Sequence, residues 1–398
     1  MEKLAINGGY PIRSSKIFYG RQCIEQDDID AVVSTLRSDF ITCGPKVDEL
    51  EKKLCDYTGA KYAVAVSNGT AALHCACMAA GIGPGDEVIT TPLTFAASAN
   101  CVLYCGAKPI FADINPHTYN IDVESIKEKI TKKTKAIIAV DFTGQVVEAD
   151  KIRSICEEHN LLFIEDAAHS IGTKFNDKYV GNIADLTTLS FHPVKTITGG
   201  EGGAILTNSE ELYSKLVLLR THGITHNERM MKHFENEGPW YYEQIELGYN
   251  YRITDFQAAL ISNQLDKLER FSKRRKEIVN AYNNAFMNIP EIILQEEIPE
   301  SDTTRHLYII RLNKELLRCT RREFFDAMSA ENVQCQVHYV PVYWFPYYQQ
   351  LGYEKGICPC AEEIYSGIMS IPLYPLMTDK DVLDVVRAVK KVVEYYRK

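Results

Sequence analysis

Short apolar runs alternate with longer helical patterns through the first two-thirds of the chain, and this alternation restricts the fold more than any single motif. Residues 62–66 (YAVAV) read as a buried strand. They are followed by SNGT and by AALHCACMAAG, an Ala-rich helix with a glycine stop. Further strands are expected at 87–91, 109–112, 136–142 and 161–164, with helices over 122–130 and 148–159 between the later ones. Strands separated by helices do not pair as hairpins, so they build a mostly parallel sheet with crossover helices. Runs at 186–191 and 203–207 flank a Gly-rich turn and are expected to pair closely.

The pattern changes near residue 255. Residues 255–285 read as one long, charged, amphipathic helix, followed by mixed strand and helix signals, an aromatic stretch at 343–348 and a final helix from Asp379. A chain of 398 residues exceeds one compact core. The expected division is a large α/β domain with an N-terminal arm over 1–255 and a smaller α+β domain over 256–398. A net charge of -9 with no long basic run argues against a nucleic-acid partner. The 12 cysteines are irregularly spaced, so reduced thiols in a cytoplasmic protein are expected, with no metal site. The opening MEKLAINGGY lacks a basic region followed by an apolar run, and no stretch reaches about 20 apolar residues. Neither a secretory leader nor a membrane partner is expected.

Several segments carry chemistry. Ser67-Asn68-Gly69-Thr70-Ala71-Ala72 lies at a strand-to-helix junction. Free N–H groups at a helix start attract anions, and a plain N-cap explains the same residues. Glu165-Asp166-Ala167-Ala168-His169-Ser170 directly follows the apolar run LLFI. A carboxylate at the C-terminal end of such a strand sits where open α/β sheets bind ligands, and capping the next helix is the alternative. Ser190-Phe191-His192-Pro193-Val194-Lys195 runs into a Gly-rich turn. A desolvated lysine there would favour its neutral, nucleophilic form; a solvated turn lysine is the alternative. In Gly248-Tyr249-Asn250-Tyr251-Arg252-Ile253-Thr254-Asp255, Thr254 or Asp255 can cap the next helix, leaving Asn250 and Arg252 for a ligand or another subunit. The 223–245 segment, polar and aromatic, reads as an ordered loop over the site. No P-loop, HExxH or dinucleotide fingerprint is present, and Gly81 to Gly85 follows a helix and reads as a turn.

In this order and spacing, the segments resemble the DegT-type nucleotide-sugar aminotransferases of pyridoxal 5′-phosphate (PLP) fold type I. The matching stretches are SNGTAAL (67–73), GDEVITTPLTF (85–95), KPIFADI (108–114), IEDAAHSIG (164–172), SFHPVKTITGGEGG (190–203), RTHGI (220–224) and GYNYRITDFQAAL (248–260), which span most of the chain. Within the family, YGRQ (19–22), SDFITCGP (38–45), VDFTGQ (140–145), residues 103–122, residues 337–356 and SIPLYPLMTD (370–379) look like the branch that serves pseudaminic acid synthesis. That branch aminates C4 of a UDP-linked 2-acetamido-2,6-dideoxy-4-keto-L-sugar.

The resemblance implies PLP as cofactor, L-glutamate and a UDP-linked keto-sugar as substrates, and a homodimer with shared active sites. Lys195 would bond to the cofactor and later move the proton. Asp166 would pair with the pyridinium nitrogen, and His169 would reach the ring hydroxyl. Phe95 would stack on the ring. Gly69, Thr70, Ala71 and Ser190 would hold the phosphate, with Asn250 reaching it from the second subunit. Arg252, His338, Tyr339 and Arg229 would lie near the nucleotide or sugar. Arg220, His222 and His226 are further candidates for local positive charge. Alternatives are another nucleotide 3- or 4-keto-deoxysugar, and a PLP-binding sensor without turnover. Sugar 3-dehydration is disfavoured, because in those relatives a histidine replaces the lysine present here.

Overall fold

The computed structural model describes residues 2–232 and 238–398. Its centre is a seven-stranded sheet. The strands are β1 (Tyr62–Val66), β2 (Glu87–Thr90), β3 (Lys108–Phe111), β4 (Thr134–Val140), β5 (Leu162–Asp166), β6 (Leu186–Ser190) and β7 (Gly203–Thr207). Their spatial order is β1-β7-β6-β5-β4-β2-β3. All neighbours run parallel except β7, which is antiparallel to both β1 and β6. The expected tight pairing across the Gly-rich turn is therefore present, inside a sheet that is otherwise parallel.

Alternation along each strand covers both faces of this sheet, as a parallel sheet requires. Ala63, Ala65, Ile137, Ala139, Phe163 and Leu206 point into one core, with helices Pro45–Thr58, Ala149–His159 and Asp255–Leu265. Val64, Val66, Ala136, Ile138, Ile164 and Ile205 point into the other, against helices Gly69–Ala79, Ala97–Tyr104 and Glu210–Arg220. A separate core surrounds the three-stranded antiparallel sheet of Ile292–Leu294, Tyr308–Leu312 and Ile368–Ile371. Helices Leu268–Phe286, Arg321–Ala330 and Asp379–Tyr396 pack there, together with Leu4 and Ile17 of the N-terminal segment.

The single helix expected over 255–285 is two helices, Asp255–Leu265 and Leu268–Phe286. Neither glycine nor proline marks the break. Lys267, buried at the junction, ion-pairs with Asp27 at 2.6 Å and Asp28 at 2.9 Å on the Gln26–Leu36 helix, and Asp266 pairs with Lys53 at 2.6 Å. These contacts between distant segments hold the chain in its bend. The aromatic stretch 343–348 packs: Tyr343 is fully buried and donates to Glu362 at 2.6 Å, while Tyr348 donates to Asn100 at 2.7 Å. No described helix is long and apolar enough to cross a membrane.

Candidate active site

The C-terminal ends of the parallel strands open into a cavity of about 820 Å³. Gly69, Thr70, Ala71, Phe95, Asp166, His169, Ser190, Lys195, His338 and Tyr339 all line it. Ligands of open α/β sheets bind at this edge, where neighbouring strands and the following helix starts diverge.

The β1 end feeds the helix Gly69–Ala79. Asn68 is its N-cap and accepts from the Ala71 N–H at 2.8 Å. The capping reading is thus correct for Asn68, and it leaves Gly69 and Thr70 at the helix start on the cavity wall. A Cβ on Gly69 would lie 2.9 Å from the Ser190 Cβ, so glycine is what lets this turn close onto the end of β6.

Asp166 is the last residue of β5 and is 4 % exposed. Adjacent residues of a strand face opposite ways, so Asp166 lines the cavity while Glu165 bonds to Thr187 at 2.9 Å on the other side. Asp166 accepts from the Ser98 hydroxyl at 2.6 Å and from the Ala168 N–H at 3.2 Å. No helix follows it, so it caps none. Burial pushes its carboxyl up, and the Ser98 hydrogen bond and Lys195 charge oppose the rise. Lys195 sits in the turn between β6 and β7, partly buried, not as a solvated turn lysine. Burial lowers its amine to about 8, against the opposing pull of Asp166. On the order of a tenth of the amine is therefore neutral at pH 7, far more than for an ordinary lysine, and the neutral form is the one that attacks a carbonyl.

A ring of aromatic and imidazole groups closes the cavity from the side of the smaller core. His169 Nε2 lies 3.2 Å from the Tyr339 hydroxyl, and its ring centroid is 4.4 Å from that of His306. His338 Nδ1 is 2.8 Å from the Ser370 hydroxyl. Burial, then the Lys195 charge, lowers His338 to about 4, and burial holds His169 and His306 well below the usual imidazole range. All three are neutral at pH 7. The Nδ1 of His169 is buried without a hydrogen-bond partner. A buried nitrogen in that state is free to take a partner from a ligand.

The remaining expected residues do not join this wall. Asn250 and Arg229 are exposed and Arg252 is half-buried, and none lines the cavity. Thr254 caps the Asp255–Leu265 helix in a capping box with Gln257. Asp255 accepts from the Gly44 and Lys46 N–H groups, each at 2.9 Å. Arg220 is neutralised by Glu51, so it supplies no positive charge to the site. Of the loop over 223–245, Ile224–Thr225 pairs with Glu243–Gln244 at the surface, and 233–237 lie outside the described residues. Sequence reasoning missed Ser98, Tyr19, Thr94 and Tyr251 as cavity residues. For Ser98 there was no local signal, since it meets Asp166 only through the packing of the Ala97–Tyr104 helix on the sheet.

These groups fit a phosphorylated pyridine aldehyde. The helix start at Gly69 and Thr70 suits a phosphate, the Asp166 carboxylate a protonated ring nitrogen, the unpartnered His169 nitrogen a ring hydroxyl and Lys195 the aldehyde.

The DegT/DnrJ/EryC1/StrS aminotransferase family model matches residues 22–390. The UDP-4-amino-4,6-dideoxy-N-acetyl-beta-L-altrosamine transaminase of Campylobacter jejuni is 40% identical over 385 residues, 96% of this chain and 99% of that protein. PseC of Helicobacter pylori, an aminotransferase of pseudaminic acid biosynthesis, superposes with a TM-score of 0.88 at 30% identity, covering 96% of this chain and 100% of that one. Spr1654 of Streptococcus pneumoniae, a proposed sugar aminotransferase, superposes in its PMP form with a TM-score of 0.89 at 30% identity, covering 95% and 99% of the respective chains, and has also been solved in a PLP form. The fold is accordingly the type I fold of PLP-dependent transferases, and by the family match over nearly its whole length together with the residues on its cavity wall, this chain belongs to the DegT/DnrJ/EryC1/StrS aminotransferase family, with pyridoxal 5′-phosphate as its cofactor.

Proposed function

We propose that this sugar aminotransferase moves an amino group from L-glutamate to C4 of a UDP-linked 2-acetamido-2,6-dideoxy-4-keto-L-hexose, in the cytoplasm, as a homodimer. The observation that carries the reading is Lys195, its amine lowered to about 8, within electrostatic reach of Asp166 in a cavity of about 820 Å³. That volume lies in the range of small-molecule sites and leaves room for a nucleotide-linked sugar beside the cofactor. The sugar assignment is supported by the 40% identity to the Campylobacter jejuni transaminase.

Bound PLP supplies an electron sink for the carbon that gains or loses the amino group. The chain does the rest. Asp166 keeps the ring nitrogen protonated, because a buried carboxylate with one hydroxyl donor favours a cation beside it. The N–H groups of Gly69 and Thr70 and the Ser190 hydroxyl would hold the phosphate, beside Ala71, whose own N–H is already given to Asn68. Phe95, 61 % exposed on the cavity wall, covers one ring face. His169 meets the ring hydroxyl. Lys195 Nζ takes the proton from the donor carbon and returns it in the second half of the cycle, as a positioned base whose affinity for protons is near the working pH. Asn250 reaches the phosphate of the partner subunit's site. Arg252, Arg229, His338 and Tyr339 contact the nucleotide sugar.

Absorbance tests this directly. A yellow protein that bleaches with L-glutamate, and recovers its colour with the UDP-4-keto-sugar, supports the whole cycle. Recovery only with a different nucleotide keto-sugar overturns the substrate. A yellow protein indifferent to every amino donor overturns the activity and leaves a sensor.

A further inference from the structure

His169 lies just past the end of β5, and Tyr339 reaches it from the side of the smaller core. Nε2 and the hydroxyl are 3.2 Å apart. The imidazole is also packed against the His306 ring, 4.4 Å between centroids, and the Phe142 ring, 6.5 Å away. Burial first, then the Lys195 and His338 charges, holds His169 well below the usual imidazole range, and His306 beside it is neutral for the same reason. A neutral imidazole carries one N–H, on Nε2 or on Nδ1. Burial pushes the Tyr339 phenol up, so its hydroxyl keeps its proton.

The two positions of the imidazole proton differ in what they leave unmatched. With the proton on Nε2, the imidazole donates to the Tyr339 oxygen. The phenol hydrogen then has no acceptor, because His169 is the only hydrogen-bond partner of that hydroxyl among the described residues. Nδ1 is left as a bare lone pair, buried and without a partner. With the proton on Nδ1, the phenol donates to Nε2 and only the Nδ1–H is left over. A phenol is also a stronger acid than a neutral imidazole N–H, and an imidazole nitrogen is a better acceptor than a phenol oxygen. Unmatched buried polar groups are costly, so the arrangement with fewer of them prevails.

We infer that Tyr339 is a positioning residue: by donating to His169 Nε2 it fixes the imidazole proton on Nδ1, so that His169 meets the ring oxygen of the cofactor as a donor and selects its ionised form. This rests on the reading above that His169 faces that oxygen, and it adds the direction of the hydrogen bond. A bare Nδ1 would accept from the ring hydroxyl and keep it protonated, whereas Nδ1–H stabilises the negative oxygen. The Tyr339 ring still lines the cavity, where it is available to the nucleotide sugar.

The visible spectrum of the PLP-loaded protein, titrated with alkali, reads this contact without turnover. A donor on the ring oxygen weakens that oxygen's hold on the proton it shares with the nitrogen joining Lys195 to the cofactor. Losing the donor therefore moves the spectral midpoint to higher pH. Tyr339→Phe keeps the ring and is expected to raise the midpoint by about 0.5 to 1 on the pH scale, as for one hydrogen bond. His169→Ala removes the donor itself and should raise it at least as far. His169→Gln supplies a carboxamide that donates with no choice of tautomer, so adding Tyr339→Phe to it should leave the midpoint where His169→Gln alone puts it. A midpoint unmoved in Tyr339→Phe but raised in His169→Ala overturns the role of Tyr339 and leaves His169 at the ring oxygen. A midpoint unmoved in both overturns the His169 reading and this inference with it. A fall in Tyr339→Phe makes His169 an acceptor and overturns the inference. So does an equal rise from Tyr339→Phe in the wild-type and His169→Gln backgrounds, since Tyr339 then does not act through His169. A protein that shows the expected midpoints yet leaves L-glutamate untouched overturns the proposed amino donor and leaves the contact standing.

Discussion

The strand-end cluster and the segment from Thr221 to Thr254 were both expected to carry site residues, and they behave differently. Asp166, His169, Ser190 and Lys195 converge in one cavity, tied by hydrogen bonds to Ser98 and Tyr339. Arg229, Asn250 and Arg252 lie outside it, on the flank where Trp240 and Leu247 are 70 % and 73 % exposed. Large exposed apolar side chains beside polar ones mark surfaces that meet a partner. The first region is completed by the fold of one chain. The second makes sense as a contribution to another chain's site, which is how the proposed dimer uses Asn250.

Lys195→Ala should break the first region outright, with turnover down by at least about 10³-fold because it removes both the nucleophile and the proton carrier. Residual activity within tenfold of wild type, measured as amino-sugar formed, would remove Lys195 from its role. Asp166→Asn keeps the shape and loses the charge opposite the pyridinium, with turnover expected to fall about 10²- to 10³-fold. An unchanged rate, or an unchanged pH profile, would show that the ring nitrogen does not need this carboxylate.

Asn250→Ala sharpens the comparison itself. Alone it should weaken PLP binding about tenfold, as for one lost hydrogen bond to a phosphate. Co-refolded or co-expressed with Lys195→Ala, it should regain activity, because one of the two sites in a mixed dimer then holds both intact residues. No recovery in purified mixed dimers would place Asn250 and Lys195 in the same subunit's site, or in no common site. Ser98→Ala should cost less, about threefold in PLP affinity, since Asp166 keeps the Ala168 N–H.

The smallest effect is in pH. Since burial lowers Lys195 to about 8, its neutral fraction grows as pH rises through that value. Uptake of PLP by the cofactor-free protein should therefore accelerate about tenfold per unit below pH 8 and level off above it. A rate still climbing past pH 9.5 would mean that the amine titrates near its ordinary value and that the cavity does not desolvate it.

Much of this was legible along the chain because it rests on local rules. The strands of the large sheet follow from apolar runs and their alternation, and the helix start at Gly69 from one strand-to-helix junction. Asp166 and Lys195 were visible because a charged residue at the end of an apolar strand has little reason to be there for packing. What stayed hidden depends on contacts between distant segments. The break at Asp266 and Lys267 carries no glycine or proline and is held by ion pairs to the Gln26–Leu36 helix and to Lys53. Packing of Tyr343 and Tyr348 could be expected from the aromatic run, but not their partner Phe111, and Ser98 reaches Asp166 across 68 positions of sequence. Sequence by itself determined which elements form and which residues stand at their ends, since backbone preference and side-chain periodicity act over a few neighbours. Tertiary structure alone decided which of those ends share a cavity, which cations find a counter-charge and which expected residues face away, because burial and electrostatic pairing depend on what the rest of the chain brings alongside.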